Sequence, residues 1–251
     1  MLLAALLCLT SAHYQGSGSS NGDFIDAFLK AGRVAYETDS SHIPDLKQWS
    51  LVKVTDGDQS VPLASWTSLR FNNNSRPPNL AHVALACDDP NGRNCCVGFD
   101  AKNGFQWNKG EDSQGTPTLN NVNDVFMLSK DGAKVGIQFK APVAGVYELN
   151  TTSLMRVDMQ PGIPQSVIRG RLSAWERRGG QWSEIAGGGA QGDGLIVSSS
   201  AKDPIHYRFS RVSAMLQKDD VIRLQFQGTN ARPDYNHVSV VTLEVLVVQR
   251  Q

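Results

Sequence analysis

The chain has 251 residues, 40% of them hydrophobic and 19% charged, enough to bury the core of one large β domain or two smaller ones. Its 24 Lys and Arg residues balance its 24 Asp and Glu residues, so the formal net charge is zero. Nucleic-acid-binding proteins normally carry a clustered basic excess. The composition therefore predicts no nucleic-acid partner.

The chain begins with an apolar run over residues 1–12, which is too short to cross a bilayer. Small residues at Thr10 and Ala12 suit cleavage by signal peptidase, although a basic N-terminal region is missing, so a fortuitous apolar start stays open. A Gly/Ser-rich stretch follows and ends near Gly22. We expect residues 1–22 to be a signal peptide and linker, the protein to be secreted or at the cell surface, and no segment to be an integral membrane span.

Asp23–Arg33 is the best helical stretch. Phe24 and Phe28 fall on one face at helical spacing, and Asp23 is a plausible N-cap. We expect this helix to pack across one end of a β-structure. A docking or oligomerisation element is the alternative.

From Trp49 onward, short apolar and alternating runs are separated by turn residues, which is typical of strands. The predicted strands are Trp49–Val54, Val61–Phe71, His82–Cys87, Cys96–Phe99, Val125–Leu128, Val135–Phe139, Gly145–Leu149, Val167–Trp175, Tyr207–Leu216, Val221–Phe226 and Val238–Val248. Short strands at this spacing with almost no helix predict an all-β protein, an antiparallel β-sandwich of jelly-roll type with one short N-terminal helix.

Three cysteines remain after the predicted signal peptide, Cys87, Cys95 and Cys96. In an oxidising compartment Cys87 can pair with Cys95 or Cys96 and close the polar loop between them. We predict the Cys87–Cys95 disulfide, which leaves one thiol over. Three reduced cysteines are the alternative.

The segment from Phe139 to Tyr147 (FKAPVAGVY) has the pattern of a strand, a tight turn and a second strand. Pro142 pre-sets the turn and Gly145 permits a sharp reversal, so Phe139 and Tyr147 can both fill a core. A charged turn from Leu216 to Val221 (LQKDDV) enters a later strand.

These two segments resemble the jelly-roll domains of the complement-q and tumour-necrosis-factor-like superfamily, with Asp219 where that family usually has Gly. The resemblance covers residues 121–251. It implies a jelly roll there, preceded by a helix and strands of unassigned type in residues 23–120. It also implies a homo-oligomer, a trimer packed through the sheet that contains Val238–Val248.

Secreted carbohydrate-binding jelly rolls carry similar Ala-Pro turns, and this second resemblance implies a glycan ligand. Trp182, between Gly180 and a Gly-rich stretch, is the best candidate for a stacking platform, whereas we expect Trp175 to point into the sandwich. On the loop before the last strand, the candidate ligand-binding residues are Asp234, Asn236 and His237.

No catalytic constellation is evident, and we predict no cofactor and no metal site. Four carboxylates could belong to a two-carboxylate glycosidase site, but sequence cannot give their separation; they are Glu176, Glu184, Asp193 and Asp203. The prediction is a secreted, non-catalytic binding or assembly protein whose partners are other copies of itself and a glycan or surface protein. The alternatives are a carbohydrate-binding module or polysaccharide-active protein, and a virion or surface structural component.

Overall fold

The structure of the chain is a computed structural model. It describes residues 23–37, 45–70, 82–88, 95–100, 125–130, 132–157, 168–187, 196–197, 205–230 and 238–251. One α-helix, α1, covers Phe24–Glu37. The strands are β1 Trp49–Val54, β2 Ser60–Pro62, β3 Ser65–Arg70, β4 His82–Cys87, β5 Cys95–Asp100, β6 Val125–Lys130, β7 Lys134–Lys140, β8 Gly145–Val157, β9 Ile168–Arg178, β10 Gln181–Gly187, β11 Ile196–Val197, β12 Ile205–Leu216, β13 Val221–Asn230 and β14 Val238–Arg250.

The strands form two antiparallel sheets that face each other across one hydrophobic core. The first sheet has the order β10-β9-β13-β7-β1-β2, with β11 also paired to β9, and the second has the order β12-β8-β14-β6-β5-β4-β3. Consecutive strands from β6 to β9 and from β12 to β14 alternate between the sheets. The protein is therefore an antiparallel β-sandwich of jelly-roll type with one N-terminal helix, as predicted from the strand pattern.

Strands from both sides of residue 120 hydrogen-bond within each sheet. In the first sheet β1 pairs with β7, and in the second sheet β5 pairs with β6. The division into residues 23–120 and 121–251 stays a prediction. Residues 1–22, the predicted signal peptide and linker, lie outside the described residues. No helix in the described part of the chain is long and apolar enough to span a membrane.

The turn at Pro142 carries the chain from one sheet to the other. β7 lies in the first sheet and β8 in the second, so Phe139 and Tyr147 meet across the core with ring centroids 5.7 Å apart. The Tyr147 hydroxyl donates a hydrogen bond of 2.8 Å to the Val143 carbonyl. The sequence identified both aromatic rings as core, but the strands that carry them belong to opposite sheets.

The charged turn after β12 makes a second crossing, which is bonded to the first. The Ala141 amide donates to the Asp220 carbonyl, and the Asp219 amide donates to the Ala141 carbonyl, both at 2.8 Å. Asp219 has a φ of 72°, in the left-handed region that favours Gly, and its carboxylate lies 2.9 Å from the Lys140 amine. The two segments of the family resemblance are thus neighbours in space.

Helix α1 closes one end of the sandwich, as predicted. The Asp23 carboxylate accepts a hydrogen bond from the Asp26 amide at 3.2 Å, which is an N-cap. Phe24 and Phe28 are fully buried, and the Phe24 ring lies 5.1 Å from the Trp49 ring. The helix therefore contributes aromatic rings to the main core.

The disulfide joins Cys87 to Cys96, so the predicted pairing of Cys87 with Cys95 is wrong. Cys87 and Cys96 are directly opposite in the β4–β5 ladder, with Cα atoms 4.2 Å apart. Successive side chains on a strand point to opposite faces, and Cys95 therefore points into the core, where it is fully buried. Burial, and next the charge of Asp88, raise the pKa of the Cys95 thiol to about 12.

Replacing Cys87 and Cys96 together with alanine is expected to lower the free energy of unfolding by about 2–3 kcal/mol, because the bridge closes a short loop in the unfolded chain. Urea denaturation measures the loss. Cys95→Ser is a control for the assignment of the bridge, since its non-reduced intact mass should still show one disulfide. A Cys95→Ser protein without a disulfide would contradict the pairing.

Candidate functional site

The outer face of the first sheet is the surface that points away from the core, and it contains unusually buried polar side chains. Along β13, Ile222, Leu224 and Phe226 belong to the core. Alternation therefore places Arg223 and Gln225 on the outer face. Both are buried, with 0% of Arg223 and 2% of Gln225 exposed.

Arg223 is held at the centre of this outer face by contacts from the β1–β2 hairpin. Its Nη1 donates to the Asp58 carbonyl at 2.9 Å and to the Ser60 hydroxyl at 3.0 Å. The Gln138 side-chain amide also donates to the Ser60 hydroxyl. The hairpin thus fixes one edge of the guanidinium group.

The aliphatic stem of Arg223 fits because position 136 is a glycine. A Cβ atom at Gly136 would lie 3.1 Å from the Arg223 Cδ and 3.0 Å from a Val52 methyl group. Both distances are tighter than ordinary van der Waals contact. Gly136 therefore makes room for Arg223 beneath the hairpin.

Trp182, on the strand at the other edge of the same sheet, covers the guanidinium on the outer face. The Arg223 Cζ atom lies 3.8 Å from the centroid of the Trp182 ring, a close cation–π contact. The Arg177 Cζ atom lies 5.7 Å from the centroid of the same Trp182 ring. Trp182 remains half-buried, so part of its indole still faces solvent.

Trp182 lies on the edge strand β10, which the sequence analysis did not predict. Gly179 and Gly180 both have positive φ, 54° and 86°, and form a two-residue turn between Arg178 and Gln181. The Gly-Gly pair followed by an alternating run was the available signal for this hairpin. The hairpin places Trp182 over the outer face rather than on a loop.

Trp175 also lies on the outer face, so the expectation that it points into the sandwich is wrong. It is directly opposite Arg223 in the β9–β13 ladder, and the Arg223 Cζ atom is 5.6 Å from its ring. Its neighbours Ala174 and Leu172 face the core instead. The Trp175 indole donates a hydrogen bond of 2.9 Å to the Ser173 hydroxyl.

The two described carboxylates of the predicted glycosidase set point to opposite faces of the first sheet. Glu184 is opposite Trp175 on the outer face, and both of its oxygens contact the Arg171 guanidinium, at 2.5 and 2.7 Å. Glu176 is opposite Ile222, a core residue, and pairs with Arg178 at 2.7 Å. Glu176 and Glu184 therefore cannot flank one glycosidic bond. Asp193 and Asp203 lie outside the described residues.

Of the four predicted ligand-binding residues, the structure describes Trp182 alone. Asp234, Asn236 and His237 lie outside the described residues, and their role stays a prediction. The residues that the sequence analysis missed are Arg223 and Gln225. An arginine on an alternating strand is expected to have a solvated side chain. The burial of Arg223 depends instead on contacts with residues far away in the sequence.

The predicted homo-oligomer also stays a prediction. β14, which the trimer would use, lies inside the second sheet between β8 and β6. Val245 on this strand is 38% exposed, and Met215 on β12 is 54% exposed.

Comparisons with known proteins found matches among solved structures. No family model and no curated protein matches the chain. The carbohydrate-binding module TmCBM61, solved with β-1,4-galactotriose, has 9% identity, covers 68% of this chain and 88% of its own, and gives a TM-score of 0.33. A CBM22 xylan-binding domain of Paenibacillus barcinonensis Xyn10C has 9% identity, covers 62% and 81%, and gives a TM-score of 0.34.

A chain in the structure of infectious bursal disease virus, strain Gt, also matches. It has 8% identity, the match covers 80% of this chain and 54% of the viral chain, and the TM-score is 0.35. TM-scores this low do not transfer a ligand from one protein to another. The resemblance of residues 121–251 to the complement-q and tumour-necrosis-factor-like superfamily stays a prediction.

Proposed function

We propose that the protein binds carbohydrate through the outer face of the first sheet. The observation that supports this most directly is the cluster of Trp182 and Trp175 around the buried Arg223. Of the functions predicted from the sequence, the geometry favours the carbohydrate-binding alternative over assembly.

The cluster has the chemistry that recognition of a sugar requires. The flat indole of a tryptophan packs against the C–H bonds of a pyranose ring, while planar polar side chains bond its hydroxyl groups. The contact with Arg223 holds the Trp182 ring over the outer face in the unliganded protein, where the accessible part of the indole can meet a sugar. Gln225 and Gln138 add amide groups to the same face.

The protein acts as a binding module in this proposal, without catalysis, and it works outside the cell or at the cell surface. The Cys87–Cys96 disulfide supports an oxidising compartment, since such bonds are rare in the cytosol. Glycans are the proposed partners. Self-association is a separate prediction, which the mass of the protein in solution tests.

Trp182→Ala is expected to weaken glycan binding about tenfold or more, because it removes the ring against which the sugar packs. Binding is measured by a glycan array first and then by calorimetry on the best ligand. The control is Met215→Ala, which removes an exposed apolar side chain from the second sheet.

Unchanged affinity in Trp182→Ala, or equal losses in the two variants, would contradict the proposed site. Thermal melting of both variants shows that they are folded. No binding to any glycan by the wild-type protein would overturn the proposed function itself.

A further inference from the structure

Arg223 has one edge of its guanidinium group unused, and the inference drawn from it rests on the proposed function. Among the described residues, Nε and Nη2 of Arg223 have no hydrogen-bond partner, although both atoms are buried. Buried polar groups are nearly always paired. Two adjacent unpaired donors on one buried group therefore indicate that a partner belongs there.

The unused edge has the shape that fits a carboxylate. In arginine, the Nε–H and one Nη2–H bond point in parallel, so the two nitrogens form a fork that binds both oxygens of one carboxylate. Nη1, on the other edge, is occupied by Asp58 and Ser60. The β1–β2 hairpin thus orients Arg223 and leaves Nε and Nη2 without a protein hydrogen-bond partner.

The protein itself supplies no described carboxylate to this fork. Glu184 is bound to Arg171, and the Asp58 carboxylate lies 3.5 Å from Lys134. Burial lowers the pKa of Arg223 to about 10, which still leaves the group charged at neutral pH. Within the described part of the chain, neither Arg223 nor its neighbour Arg177 has a carboxylate at ion-pair distance. The face therefore has two positive charges that an anionic ligand can neutralise.

Gln225 provides a complementary acceptor beside the fork. Its Oε1 is buried and has no partner among the described residues. It is two residues from Arg223 on the same face of β13, about 7 Å along the strand. A ligand with a carboxylate and a hydroxyl group about one sugar ring apart would satisfy both residues.

We propose that the ligand is a carboxylated sugar, a uronic acid unit within an acidic polysaccharide, whose carboxylate binds the Nε and Nη2 atoms of Arg223. Gln225 accepts a hydrogen bond from a hydroxyl group of the same sugar. Trp182 covers the fork in the unliganded protein and lies on an edge strand bonded on one side to β9. Its ring shifts off Nε and Nη2 as the carboxylate enters and then packs against the sugar ring.

The test compares uronate oligosaccharides with their methyl esters, which keep the backbone and remove the charge. Galacturonate, glucuronate and mannuronate oligomers are titrated by calorimetry at physiological salt, where nonspecific charge effects are screened. We expect one of the acids to bind about tenfold or more tightly than its ester, because charge-assisted bonds are the strong ones.

Arg223→Lys keeps the charge without the fork, and Arg223→Met removes both, so we expect both to lose the preference for the acid. Lys218→Met, which removes an exposed positive charge from the turn before β13, is the control and should keep the preference for the acid. Equal affinity for acid and ester in the wild-type protein would overturn the inference, as would an unchanged preference in Arg223→Lys. Binding of neutral glycans alone, lost in Trp182→Ala, would overturn it and leave the proposed function intact, whereas failure of every glycan would overturn both.

Discussion

Replacing Phe139 with alanine is expected to lower the free energy of unfolding by about 3–5 kcal/mol, the usual cost of removing a buried phenylalanine. The Phe139 side chain is fully buried. Its ring lies 5.1 Å from that of Trp49 and 5.7 Å from that of Tyr147. It therefore packs between an aromatic ring of the first sheet and one of the second. Urea denaturation followed by circular dichroism measures the change.

The matched control is Val143→Ala, four residues later in the first crossing. Val143 is 43% exposed, and the carbonyl that accepts the Tyr147 hydrogen bond belongs to its backbone. We expect this variant to change stability by less than about 0.5 kcal/mol. A loss below about 1 kcal/mol in Phe139→Ala would show that the aromatic cluster does not stabilise the two sheets.

Arg223→Met is expected to raise the free energy of unfolding by about 1–2 kcal/mol. The substitution keeps much of the aliphatic volume and removes a buried charge with two unpaired donors, each of which is costly to bury. Water can replace the lost bond at the Asp58 carbonyl, because Asp58 is half-exposed. If the protein becomes more stable without Arg223, then Arg223 lowers the stability of the fold, and its presence indicates a role in function.

Arg178→Met is the comparison for this second prediction. Arg178 pairs with Glu176, whose carboxylate is buried, so its removal leaves a buried charge unpaired and should lower stability. Thermal melting of both variants gives the two signs directly. A clear loss of stability in Arg223→Met would show that Arg223 serves the fold rather than a ligand.

Local features of the chain were predictable from its sequence. The predicted bounds of β1 and β4 are those observed. The signals that set them, the apolar pattern of the strand and the turn residues beside it, are local in sequence. The N-cap at Asp23 was also predictable, because an aspartate directly before a helical pattern is a local signal. The core positions of Phe139 and Tyr147 also followed from local pattern.

Features that depend on which strands become neighbours were not predictable. Periodicity gives the two faces of a strand but not the sheet that contains it, so the crossing at Pro142 was missed. Trp175 alternates with core residues, and only its partner across the ladder, Arg223, shows that it faces outward. The choice between Cys95 and Cys96 likewise depended on which one lies opposite Cys87.

The candidate site was predictable only in Trp182. The burial of Arg223 requires a hairpin more than 160 residues earlier in the chain and a glycine on the neighbouring strand β7. Neither contact leaves a local pattern around residue 223. A single arginine between hydrophobic residues is normally a solvated strand residue.

The most direct test of the carbohydrate-binding face is a nuclear magnetic resonance titration of the wild-type protein. The indole N–H signals of its five tryptophans are assigned by single substitutions and followed as the tightest-binding glycan is added. We predict that the Trp182 and Trp175 signals move to saturation while that of Trp49, in the core, stays in place. Saturating binding that leaves the Trp182 and Trp175 signals unchanged would contradict the account.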